Sequence, residues 1–310
     1  MPVDPDLLLL STLPNAISLK DFVVLLDLDN QMNIPPNPQA NLDGQYSEEQ
    51  RFHHAIIVLR RIDMEQNGHD EYTKAKLAAY YLPQLVEKFL GPLPIHDADP
   101  EAAEDLLLKN AYMVMLQSLA GSPYMVKYLK SSYPIAGPGK RLLSVVARRL
   151  VLVGPRWNRM MEDHPKSKEF KDAAVIVLPF LGTCLMALRY VDGEPPKLDL
   201  NAKDGQDLSV LLHVWWMRFP DDPVGTISEL ICHNLGEYFE YEEALRLGAY
   251  QEPPKIECAL PSCQRQDNLR FCKRCHNVKY CSAQHQKIHW YCEDGSEGLP
   301  HELVCFSTQY

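Results

Sequence analysis

Between Cys258 and Cys305 the chain gathers seven of its nine cysteines, with histidines interleaved. The thiols and imidazoles fall into four pairs. Cys258 and Cys263 have four residues between them, whereas Cys272 and Cys275 have two, the spacing of a tight knuckle in which both sulfurs reach one ion. Cys281 with His285, and His301 with Cys305, stand at i and i+4, which stacks two side chains on one face of a helical turn. Four such donors complete one tetrahedral site, so eight complete two. Six thiolates and two imidazoles select zinc over magnesium or calcium, which take oxygen, and iron–sulfur clusters more often have four cysteines. The expectation is therefore two zinc ions; spacing alone leaves open which pairs share an ion.

A secreted chain could turn the same cysteines into disulfides. Asp4 and Asp6 precede the short apolar run Leu7 to Leu10, where a secretory leader would carry positive charge. We expect an intracellular protein, cytoplasmic or nuclear, with reduced thiols. Cys184 and Cys232 lie in apolar helical stretches and read as small hydrophobes.

The segments Phe271-Cys272-Lys-Arg-Cys275, Tyr280-Cys281-Ser282-Ala-Gln-His285-Gln286, His289-Trp290 and His301-x3-Cys305 resemble the MYND fingers. The likeness covers about one sixth of the chain. It implies a cross-braced arrangement, in which Cys258, Cys263, Cys281 and His285 hold one zinc while Cys272, Cys275, His301 and Cys305 hold the other. It also implies recognition of short, proline-containing peptides, with Gln286 and Trp290 at the family's contact positions. A finger that follows a helical body is similar to fungal proteins carrying this module. Three features depart from the family pattern: the wide first pair, histidine rather than cysteine at His285, and an insertion, Tyr291 to Pro300, before the closing His301. His289 and Cys292, in this region, are alternative ligands to His301. His276 follows a knuckle cysteine and has no partner of its own.

The elements that must carry this module read as an all-α body, an irregular helical bundle or a short α-solenoid, with the small two-zinc finger at its C-terminal end. Asp222-Pro223 is an N-cap followed by proline at the first helical position, and Ile227, Ile231, Leu235 and Tyr238 then recur at helical spacing. Asp99-Pro100 opens another helix, with Leu108, Tyr112, Met115 and Leu119 on one stripe and Gly121 as its stop. Further helices are expected over 17–27, 47–63, 71–90, 140–152, 168–191 and 207–218. Asn30 to Tyr46 reads as a polar loop, and Pro253-Pro254 marks a linker at 249–257 between a helical domain, 1–248, and the finger, 258–305.

Other signals fail on inspection. Asp27 and Asp29 follow an apolar run as in haloacid-dehalogenase-type phosphatases, but Gln31-Met32 stand where serine or threonine is needed. Gly137 to Lys140 resembles a phosphate loop only in part, since Pro134 and Arg141 break the pattern; we expect a turn before a helix. His53 and His54 diverge by about 100° on a helix. A SET-type methyltransferase needs catalytic sequence on both sides of its MYND finger, which is not expected here. The net charge of −10 argues against a general nucleic-acid binder, and Ala173 to Leu188 reads as a buried helix, so no membrane role is expected. The reading is a zinc-binding interaction module or adaptor with a protein or peptide partner; the alternative is an enzyme in the helical body, with the finger as a docking element.

Overall fold

The computed structural model describes residues 69–91, 111–131, 138–163, 167–193, 196–235, 257–291 and 300–308. Outside them lie the expected helices at 17–27 and 47–63, the loop from Asn30, Asp27 and Asp29, His53 and His54, the opening at Asp99-Pro100, the linker up to residue 256, and Cys292. The chain forms two compact units, Met1–Thr73 and Lys74–Tyr310, and the second holds both the main helices and the cysteine-rich tail.

The described residues are mostly helical: α1 His69–Leu90, which begins before the second unit, α2 Ala111–Leu119, α3 Pro123–Lys130, α4 Pro138–Asp163, α5 Ser167–Asp192, α6 Ala202–Arg218 and α7 Pro223–Leu235. α5 is the hub, packing against α2, α3, α4 and α7, while α6 closes on α4 and α7. A stack of helix pairs would let each pair touch only its neighbours; here α2, α3, α4 and α7 all meet α5. α5 is long and apolar enough to cross a bilayer by length and composition alone. Here its apolar face, including Phe170, Val177, Leu181 and Leu185, is buried among the surrounding helices.

Capping chemistry explains where these helices begin. The Asp222 carboxylate accepts the Val224 N–H at 3.0 Å, the Ser122 hydroxyl accepts that of Tyr124 at 3.2 Å, and the Asn201 side chain accepts that of Asp204 at 2.8 Å. The cap at Asn201 starts α6 earlier than the expected 207. α4 differs more, because it runs to Asp163 through Gly154-Pro155 rather than ending near 152. Proline inside a helix forfeits a hydrogen bond and costs about 3 kcal/mol. Beyond it, Trp157 and Met161 are buried on the stripe begun by Val146, Leu150 and Val153, and that burial offsets the loss. α3 was not among the expected helices at all.

Arg149 ties α4 to the end of α1. Its guanidinium is only 2% exposed and donates to the carbonyls of Phe89 and Leu90 at 3.1 and 2.9 Å, groups that a helix C-terminus leaves without partners. Burial pushes it down to about 10, so it stays charged at neutral pH.

Candidate metal centre

The tail is organised by a hairpin of two short antiparallel strands, β1 Arg270–Phe271 and β2 Lys279–Tyr280, pairing Arg270 with Tyr280 and Phe271 with Lys279. Its connection is the knuckle. The Cys272 N–H donates to Val278 and the His276 N–H returns to Cys272, at 2.8 and 3.0 Å, and His276 takes a left-handed φ of 57° to close the loop. His276 thus has a backbone role, and it lies in neither donor group. The first cysteine pair is tied to the hairpin where the Ala259 N–H donates to Lys279 at 2.8 Å. Two helices follow, α8 Ala283–Tyr291 and the single turn α9 His301–Val304. Ser282 caps α8 by accepting the His285 N–H at 3.1 Å, which leaves Cys281 just before the helix and His285 in its first turn.

These elements bring the eight side chains together in two groups: Cys258, Cys263, Cys281 and His285 in one, Cys272, Cys275, His301 and Cys305 in the other. Within each, the donor atoms lie within 4.8 Å of one another. The first and third pairs meet, as do the second and fourth. His301, rather than His289, enters the second group.

The separations suit a tetrahedral ion. With bonds of about 2.3 Å to sulfur and 2.0–2.1 Å to nitrogen, zinc requires edges of about 3.8 Å between sulfurs and about 3.5 Å from sulfur to nitrogen. Cys263 and Cys281 lie 3.8 Å apart and Cys272 and Cys305 3.7 Å, too far for disulfides. His285 Nδ1 is 3.2 Å from Cys281 Sγ and 3.7 Å from Cys258 Sγ, and His301 Nε2 is 3.7 Å from Cys275 Sγ.

Electrostatics points the same way. Burial, with the positive surroundings of His289 and Arg274, pushes His301 down to about 4, so its imidazole is neutral and its lone pair free at neutral pH. Burial pushes the Cys275 and Cys305 thiols up, and charge on the neighbouring cysteines pushes them further. Burial also opposes ionisation of Cys272, but the N–H groups of Cys275 and Arg274 and the two neighbouring thiols outweigh it and hold this thiol low. Thiolates this close can all ionise only around a cation. The residues fit zinc, with Cys3His donors at each group.

A second layer of contacts surrounds the donors. The Gln286 amide donates to Cys272 Sγ at 3.6 Å, and the Asn277 N–H to Cys275 Sγ at 3.5 Å. His289 lies in neither group; its Nδ1 meets the Tyr280 hydroxyl at 3.0 Å and its ring stacks on His301 with centroids 5.6 Å apart. The Trp290 indole meets the same imidazole at an angle of 77°.

Sequence reasoning missed how this tail is held. Phe306, the residue after the last donor, is 7% exposed, with its ring 5.7 Å from Tyr80 on α1 and 6.4 Å from Tyr124 on α3. The Tyr124 hydroxyl donates to the Val304 carbonyl at 2.7 Å and accepts the Phe306 N–H at 2.6 Å, gripping the backbone on either side of Cys305. Lys127 adds a bond to the Cys275 carbonyl at 3.0 Å. An aromatic directly after the final cysteine was the available signal for Phe306, but nothing local pointed to Tyr124. Tyr124→Phe removes the hydroxyl that accepts the Phe306 N–H and donates to the Val304 carbonyl, a cost of about 1–3 kcal/mol. Its expected outcome is faster loss of zinc to a competing chelator from one of the two sites, at unchanged helical circular dichroism; equal release rates at both sites in variant and wild type would rule this out.

Comparison with protein-family models, curated proteins and solved structures finds no match to this chain.

Proposed function

We propose that the chain is a zinc-binding interaction protein whose C-terminal segment is a MYND-type finger holding two zinc ions. The observation that carries this reading is the pairing of donors, first with third and second with fourth, each as Cys3His. All four protein positions of each tetrahedron would be filled, which is the character of a structural site; catalytic zinc keeps one position open. The metal would supply folding energy to a segment with a small core of its own. The chain then acts inside the cell as an adaptor, with the finger presenting a surface to a protein partner.

The surface we assign to a short, proline-containing peptide is built on α8 from Gln286 and Trp290. Both are half-buried and keep an exposed side. Gln286 is braced on Cys272 and Trp290 on His301, so both are positioned by the second zinc group. A flat, half-buried indole can pack against proline. The test is Trp290→Ala, measured for zinc content and for binding to an array of proline-containing peptides. Two zinc ions with binding reduced about tenfold or more supports the reading; unchanged binding, or loss of zinc together with binding, would assign Trp290 to the finger's interior alone.

A further inference from the structure

A groove of about 950 Å³ runs between the tail and the helical bundle. One wall comes from α3 and the C-terminal part of α5, with Val126 and Val191; the other comes from the hairpin and the first cysteine pair, with Phe271 and Val278. None of its lining residues belongs to α8. Val191 and Phe271 are exposed, at 42% and 51%, although the groove offers them apolar neighbours.

Charge is distributed unusually here. The chain has a net charge of −10, yet among the described residues the groove is lined by Lys127, Lys130 and Lys279 against one acidic residue, Glu257. Lys127 is committed to the Cys275 carbonyl. Lys130, on α3, is exposed and paired at the rim with Asp192, and Lys279, on the opposite wall, lies 4.6 Å from the Phe271 ring centroid. The cations therefore flank an apolar floor from both sides instead of converging on one point, as they would for a single phosphate. A small apolar ligand would use the floor but not the cations that flank it.

We propose that this groove receives an extended peptide segment of a partner protein, bearing apolar side chains flanked by acidic ones. The apolar side chains cover Val126, Val191, Phe271 and Val278, and the carboxylates meet Lys279 and, in exchange for Asp192, Lys130. Because one wall is built on the knuckle and the first cysteine pair, the site exists only when the tail is folded. It is distinct from the α8 surface and needs both the tail and the bundle.

The test selects random peptides of about twelve residues, displayed on phage, against the zinc-loaded full chain. Enriched peptides should combine apolar residues with Asp or Glu, and their binding should weaken as salt is raised. A double variant, K130E with K279E, should lower their affinity by at least about tenfold, and Val126→Arg should do the same from the α3 wall, with two zinc ions retained in each case. Trp290→Ala that keeps two zinc ions should leave this binding intact. Failure to enrich any peptide, enrichment without acidic residues, or binding that survives both the charge reversal and Val126→Arg would overturn the proposal. Binding lost in Trp290→Ala but kept in the groove variants would place the peptide on α8 instead, so the two surfaces can fail separately.

Discussion

Cys275→Ser should lower the zinc content of the purified chain from two ions to one and unfold the tail locally while the helical bundle survives. Cys275 is 1% exposed, its sulfur faces His301 Nε2 at 3.7 Å, and its carbonyl receives Lys127. A serine hydroxyl cannot replace the thiolate, so the second group drops to three donors around a buried space. Structural zinc contributes roughly 10–16 kcal/mol to segments of this kind, far more than the hairpin could supply alone. Cys272, Cys275, Tyr280 and Cys305 form a core separate from that of the bundle. The bundle should therefore keep most of its helical circular dichroism, with a modest loss of thermal stability from the released Phe306. Cys184→Ala is the control, because that thiol is fully buried in α5 away from both groups, and it should leave two ions bound. Two ions retained in Cys275→Ser, or equal loss in both variants, would contradict the assignment of the second group.

Trp157→Ala should destabilise the bundle by about 3–5 kcal/mol, with an apparent melting temperature lower by roughly 10 °C. The Trp157 ring stacks on Trp215 with centroids 6.5 Å apart and planes 11° from parallel, and it meets the edge of Phe170 at 6.4 Å. One side chain thus joins α4, α5 and α6. Its indole N–H and that of Trp215 are buried without hydrogen-bond partners, so apolar area, not polar bonding, supplies the stabilisation. Trp157→Phe keeps much of that area and removes a buried unpaired donor; it should cost less than half as much. Zinc content should stay at two in both. Equal losses for the two variants, read from denaturant unfolding, would mean that ring contact is not what Trp157 provides.

How far residues foretell structure varied with the range of the interaction. The knuckle, the two i, i+4 pairs and the helix opened by Asp222-Pro223 are local, and local spacing reports them directly. The grouping of distant pairs is not a property of spacing; the resemblance implied it, and contacts such as that of the Ala259 N–H with Lys279, which carries the first pair to the strand before Cys281, are remote in sequence. Ser122-Pro123 carried the same opening signal as Asp222-Pro223, but the helix it begins has only eight residues and follows directly on the stop at Gly121. α4 continued through Pro155 because Trp157 and Met161 are buried beyond it, a tertiary effect that a helix-breaking rule cannot weigh. The contact between Tyr124 and Phe306 spans 182 positions and leaves no periodic trace.

That contact also changes how the second donor group is assembled. With Phe306 seated between Tyr80 and Tyr124, His301 and Cys305 are delivered to Cys272 and Cys275 as tethered reactants, at an effective concentration fixed by the bundle's surface. The length of the segment between Tyr291 and Pro300 then weighs little on closing the site, since closure entropy grows only with the logarithm of loop length. Linkage makes the effect mutual: whatever factor the seated aromatic adds to affinity at the second group, an ion held there returns to the seating of that aromatic on α1 and α3.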